Sequence, residues 1–246
     1  MTRPAPAMTR ILASARFEST TLLRNGEQLL VSLLLPAMAL VVLALSSYPE
    51  LGEPRIAVVT PGVLALAVVS TAFTGQAIAT AFDRRYGVLR LFGVSPLGRG
   101  GLLAGKALAV MTVLVLQTVL LGVVAAGLGW RPGAVALVLL VVTVLIGAAC
   151  FVSIALLLAG VLRAEAVLAL ANLLWILFLG LGLLLPVDTL PAAAESVARW
   201  LPPGLLGESA RTAALEGTAP LTGWVALLGW AAVAGGLARR TFRWSD

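Results

Sequence analysis

The sequence predicts an all-α integral membrane protein with six transmembrane helices and both termini in the cytoplasm. Three observations carry this. The 246 residues are 60% hydrophobic and only 11% charged, against about a quarter charged in soluble domains. Six apolar stretches are long enough to cross a hydrocarbon core of about 30 Å, which takes roughly 17–25 helical residues. The 17 Lys and Arg are divided unequally between the connections. Helices rather than barrel strands are expected, because alternation of apolar and polar residues is missing.

Residues 8–24, "MTRILASARFESTTLLR", carry Met8, Ile11, Leu12, Ala15, Leu22 and Leu23 at helical spacing. A helix lying in the inner interface is expected there, with arginines toward headgroups; a polar tail is the alternative, since Phe17 breaks the stripe. No compact apolar core with a cleavage site marks a signal peptide. Met8-Thr9-Arg10 repeats Met1-Thr2-Arg3, which leaves either methionine as the start. The spans are read at 27–47, 56–82, 102–129, 134–162, 166–186 and 222–238, all within one domain, 1–246.

Thirteen cations fall on one side of these spans: Arg3, Arg10, Arg16, Arg24, Arg84, Arg85, Arg90, Arg99, Lys106, Arg163, Arg239, Arg240 and Arg243. Arg55, Arg131, Arg199 and Arg211 fall on the other. The positive-inside rule puts the first set in the cytoplasm. Residues 187–221 form a long outer segment bracketed by prolines, with a short helix expected around Val197, Trp200 and Leu201. Its apolar residues imply that it lies in the interface or re-enters the membrane, which needs cover from protein or a wet cavity.

Several function classes are excluded. His is absent and Cys150 is the single cysteine, so no catalytic base–nucleophile pair, metal site or cofactor site is expected. Gly100, Gly105 and Lys106 match the opening of a phosphate-binding loop, but Ala107 lacks the hydroxyl that holds magnesium and an apolar run follows. The net charge of +6 is scattered over short loops and reads as topology, not as nucleic-acid binding. No charged residue sits at mid-membrane, which argues against a proton-coupled pump or an ion channel. The polar residues there are Thr71, Thr74, Gln76, Gln117, Thr118, Thr143, Ser153 and Asn172. Most read as interhelical glue. Gln76, Gln117 and Asn172 are the candidates for a pathway, because amides are costly to leave unpaired in lipid. Ala231/Gly235, Ala232/Gly236 and Gly122/Ala126 permit close helix contact.

The connection between spans 2 and 3, residues 83–101, is longer than two membrane helices need. It interleaves Arg84, Arg85, Arg90 and Arg99 with Tyr86, Leu89, Leu91 and Phe92. A short amphipathic helix ended by Gly93 and followed by a Ser95-Pro96 turn is expected. Exposed apolar side chains there mark a docking surface; a plain interfacial linker is the alternative.

This stretch resembles the cytoplasmic loop of ABC transporter permeases of the type-2 exporter family. Their pattern is approximately Glu-Arg-Glu-x-Gly-Thr-Leu-Glu, then Thr-Pro-Leu-Ser-Arg, then Gly-Lys opening the third span. The matching positions are Asp83, Arg84, Gly87, Leu89, Ser95, Pro96, Leu97, Arg99, Gly105 and Lys106; the sequence departs at Arg85, Val88, Arg90 and Gly98. The layout resembles the family over nearly the whole chain, and the small drug-resistance and antibiotic-transport permeases of high-GC bacteria more than the polysaccharide exporters.

The resemblance implies an exporter in a bacterial cell membrane, working as a homodimer or with a second permease. A separate ATP-binding cassette ATPase powers it, with no cofactor on this chain. In such a permease residues 83–99 form a coupling helix that docks on the ATPase. Tyr86, Leu89 and Phe92 would be its buried anchors and the arginines would face the ATPase or headgroups. A path without fixed charge favours a small apolar or amphiphilic cargo: drug, antibiotic or lipid-like. The competing class is a membrane scaffold or assembly component, such as one for haem or cytochrome biogenesis.

Overall fold

The computed structural model describes residues 5–26, 30–47, 51, 54–93 and 95–242, leaving out the side chains of Val31, Arg90, Phe92 and Arg99. The described residues are helical, without a strand. Helix α1 is Ala7–Arg24. A π-helical turn, Leu30–Leu34, leads into α2, Leu35–Leu45. Then come α3, Arg55–Arg85; the short α4, Val88–Gly93; α5, Gly98–Gly127; α6, Ala134–Val161; and α7, Ala164–Leu183. In the segment 187–221 lie α8, Ala192–Ala198, and α9, Pro202–Arg211. The last is α10, Leu221–Thr241.

Helices α3, α5, α6, α7 and α10 are long and apolar enough to cross a membrane; Ser32–Leu45 is a shorter apolar helix. The first predicted span, 27–47, is therefore the one whose described part falls short, and residues 27–29 lie outside the described set.

Helix α3 is the centre. Every residue from Val59 to Ala77 is buried, as expected for a helix that is apolar all round. It packs against α2, α5, α6, α7 and α9. Phe73 meets Phe151 edge-on and lies against Phe178, which ties α3 to α6 and α7. Midway, the residues Val69–Gly75 widen into a π-helix.

The π turn before α2 has a local cause. Pro36 has no N–H to give the carbonyl of Ser32, and its ring crowds that carbonyl. Gln117 Nε2 on α5 donates to it instead, at 2.9 Å.

The segment 187–221 is more than a surface loop. Helix α9 is buried from Pro202 to Gly207 and again from Ser209 to Arg211. It packs against α3, α6, α7, α8 and α10, and two glycines allow the close approach to α7 and α8. A Cβ on Gly207 would lie 2.1 Å from the carbonyl oxygen of Gly182, and one on Gly204 2.1 Å from that of Ala198. Helix α7 breaks where α9 meets it, at Leu181 and at Gly182 with φ +81°. Arg211 donates to the freed carbonyls of Gly182 (2.6 Å) and Leu185 (3.1 Å), and pairs with Glu208. The short helix expected around Val197 ends at Ala198, so Trp200 and Leu201 lie in the turn before α9.

Candidate coupling site

The turn between α3 and α5 is set by two glycines. Gly87 has φ +75° and ends α3; Gly98 has φ +68° and opens α5. Left-handed backbone at these positions suits glycine. The amphipathic helix is shorter than the sequence suggests, because α3 continues through Arg85 and α4 starts only at Val88. Ser95 shapes the exit: its carbonyl accepts from Gly98 N–H at 3.1 Å and its hydroxyl from Leu97 N–H at 3.3 Å, with Pro96 exposed between.

The apolar residues of this turn divide into two sets. Leu89 is fully buried within the chain, so it anchors α4 to its own protein and does not project as a docking anchor. Tyr86 and Leu91 are 70% and 72% exposed. The side chains of Arg90, Phe92 and Arg99, expected among the contacts, lie outside the described residues.

Beneath the turn is a buried charge cluster. Lys106 Nζ lies 2.7 Å from Asp83 Oδ2 and 2.9 Å from Glu18 Oε1. Lys106 is 2% exposed, while Glu18 and Asp83 keep partial contact with solvent. One ammonium thus joins α1, the end of α3 and the first turns of α5. Next to it the helices touch: a Cβ on Gly105 would lie 2.6 Å from Ser14 Oγ. The Gly-Lys pair that mimics a phosphate loop is explained here, glycine admitting α1 and lysine pairing with its acid. The packed face of α1 is Ser14, Ala15 and Ser19, whereas Met8, Leu12 and Phe17 remain exposed.

Arg84 was expected to face a partner or headgroups. Instead it is 3% exposed, and its guanidinium donates to the carbonyls of Ala159 (2.6 Å) and Leu162 (2.5 Å) at the end of α6. Helix C-termini leave such carbonyls without intrahelical donors and favour cations. Arg85, which is exposed, pairs with Glu165 of α7 and lies over the rings of Phe82 and Tyr86. The turn is therefore tied to α1, α5, α6 and α7 while presenting Tyr86 and Leu91 outward.

A model of the ABC-2 type transporter family matches residues 9–214, from α1 through α9, and so contains the whole cluster and the turn. The chain belongs to the ABC-2 type transporter family. It is the membrane permease subunit of an ABC transporter, a multi-pass protein whose domain is not itself catalytic. Among curated proteins no relative matches it.

The three pathway candidates of the permease have different surroundings. Gln76 is buried and donates to Thr80 Oγ1 at 2.9 Å. Gln117 is buried, accepting from the Thr71 hydroxyl at 3.0 Å besides holding Ser32. Asn172 is exposed on α7, with Nδ2 returning to the Leu168 carbonyl at 3.0 Å. Glu18 escaped the sequence reading, although it is the one acid in an otherwise cationic 8–24 segment. Glu165 and the Glu208–Arg211 pair also escaped, because nothing local to them signals a partner.

Proposed function

We propose that this permease is an exporter subunit of a bacterial cell membrane with six spans and both termini inside. It moves a small apolar or amphiphilic molecule, such as a drug, an antibiotic or a lipid-like compound. A separate ATP-binding cassette ATPase powers it by docking on residues 83–99. The observation that carries this reading is the pairing of an outward surface, Tyr86 and Leu91, with the buried Lys106 and Arg84 contacts behind it. A force applied to the exposed turn passes to α1, α5 and α6 together, as a rigid lever requires. Asp83, Arg84, Gly87, Leu89 and Lys106 then hold the lever's shape, while Tyr86, Leu91, Pro96 and the segment bearing Arg90, Phe92 and Arg99 meet the ATPase. A scaffold has no need of such a lever, and family membership favours transport.

Two permeases complete the pathway in this reading. Asn172 supports it, because an amide on the outer face of an apolar helix is costly against lipid and is relieved by a second chain or a wet path. Co-purification with the ATPase is the decisive experiment. Tyr86→Ala combined with Leu91→Ala should release the ATPase or uncouple hydrolysis from transport while insertion is retained. Full association and full transport in that variant would leave a plain linker as the better account.

A further inference from the structure

The small residues of the last span, Ala231/Gly235 and Ala232/Gly236, were expected to bring helices into contact. Only part of that stripe packs. A Cβ on Gly235 would sit 3.6 Å from Ser153 Oγ of α6, whereas one on Gly236 would meet nothing within 4 Å. Gly100, at the start of α5, is open in the same way. Between α5, α6 and α10 these residues leave a crevice of about 860 Å³, walled also by Leu103 and Leu156. That lies within the roughly 300–1,000 Å³ of small-molecule sites and far above the voids of a packed interior. Among the described residues Arg239 is its one charged lining residue, and no carboxylate lines it. Arg239 is exposed, and it makes no ion pair among the described residues.

We infer that this crevice holds one anionic phospholipid of the inner leaflet, with an acyl chain along the small residues of α10 and the phosphate on Arg239. Each half of the lipid has its match. The alanine and glycine wall offers a flexible chain an apolar bed, and the Ser153 hydroxyl that also lines it already donates to the Ala149 carbonyl at 2.8 Å. A guanidinium is the side chain suited to paired hydrogen bonds with a phosphate. Basic pockets between membrane helices at the cytoplasmic side take anionic headgroups. The α10 wall, which carries Arg239, lies beyond the residues matched by the family model, whereas the α5 and α6 walls lie within them. The inference rests on the proposed orientation, which places Arg239 inside. Gly100 lines the same crevice, so the lipid would also touch the helix that leaves the coupling turn.

The test uses the full-length permease in nanodiscs doped with photoactivatable phosphatidylglycerol or phosphatidylcholine. Labelled peptides are mapped by mass spectrometry. Labelling of residues 100–104 and 231–242 should favour phosphatidylglycerol by about fivefold, the order expected for one arginine at a membrane surface. Arg239→Gln should bring the ratio near one. Gly236→Leu, placed where space is open and the fold is undisturbed, should remove labelling by both lipids. No headgroup preference in the unaltered chain would overturn the inference. So would Gly236→Leu labelling normally, or Arg240→Gln lowering the ratio as much as Arg239→Gln, since Arg240 does not line the crevice. Orientation is read separately: Arg239→Cys labelled only from outside intact cells overturns the topology instead.

Discussion

Lys106 Nζ stands 2.7 Å from Asp83 Oδ2 although 23 residues separate them in the chain. Glu18 reaches the same ammonium from the other side at 2.9 Å. Removing the lysine leaves two carboxylates beside each other at a largely buried place. Breaking a buried pair from one side typically costs about 3–5 kcal/mol. Because Glu18 and Asp83 keep partial contact with solvent, Lys106→Met should lower unfolding stability in nanodiscs by less than that range, though measurably. Glu18→Gln, which keeps the Asp83 pair, should cost less. Equal stability of Lys106→Met and the parent chain would show that the cluster does not hold α1 in place.

Gly105 and Ser14 should be energetically coupled. Gly105→Ala places a methyl 2.6 Å from the Ser14 hydroxyl, so either the serine or all of α1 must move. Neighbours in contact show non-additivity of about 0.5–3 kcal/mol. A double-mutant cycle with Ser14→Gly should recover part of the Gly105→Ala loss. Strict additivity would mean that α1 does not rest on α5 at this point.

Arg84→Leu should uncap α6. The carbonyls of Ala159 and Leu162 lose their donors, and each buried group left without one costs about 1–3 kcal/mol. Hydrogen exchange should quicken in the last turn of α6, and Arg84→Lys should restore it only partly, because an ammonium lacks the planar fork. Unchanged exchange at the end of α6 would count against the cap.

Two glycines near the meeting of α7 and α9 should behave oppositely. Gly207→Ala drives a methyl into the Gly182 carbonyl, backbone against backbone, and should prevent α9 from seating. Gly180→Ala meets nothing within 4 Å and should be tolerated. Folded yield after detergent extraction, read by size-exclusion profile, separates the two. Monodisperse Gly207→Ala would show that α9 can seat without this contact.

The proposed dimer face can be read by disulfide trapping. Asn172→Cys should give an oxidised dimer in membranes, with little background because Cys150 is fully buried. Val225→Cys on α10, 70% exposed, is the comparison. Trapping through position 225 and not through 172 would move the pairing face away from α7.

By itself the sequence determined the membrane setting, the helical class and the place of the turn between α3 and α5. Hydropathy and length act through the solvent alone, so the apolar character of α3, α5, α6, α7 and α10 was legible without knowing any neighbour. Gly93 was readable as the end of the short helix, and α4 does end there; the left-handed breaks at Gly87 and Gly98 were not foreseen. Only the tertiary structure decided what the charges do. Arg84 and Arg211 count equally as loop cations in a sequence, yet both are buried, holding the carbonyl ends of α6 and α7. Leu89 likewise looked like a docking residue and proved to be an internal anchor. The reason is distance along the chain: Arg84 meets a carbonyl 75 residues away, and Arg211 one 29 residues away. Such pairs come within hydrogen-bond range only once the helices that carry them have packed.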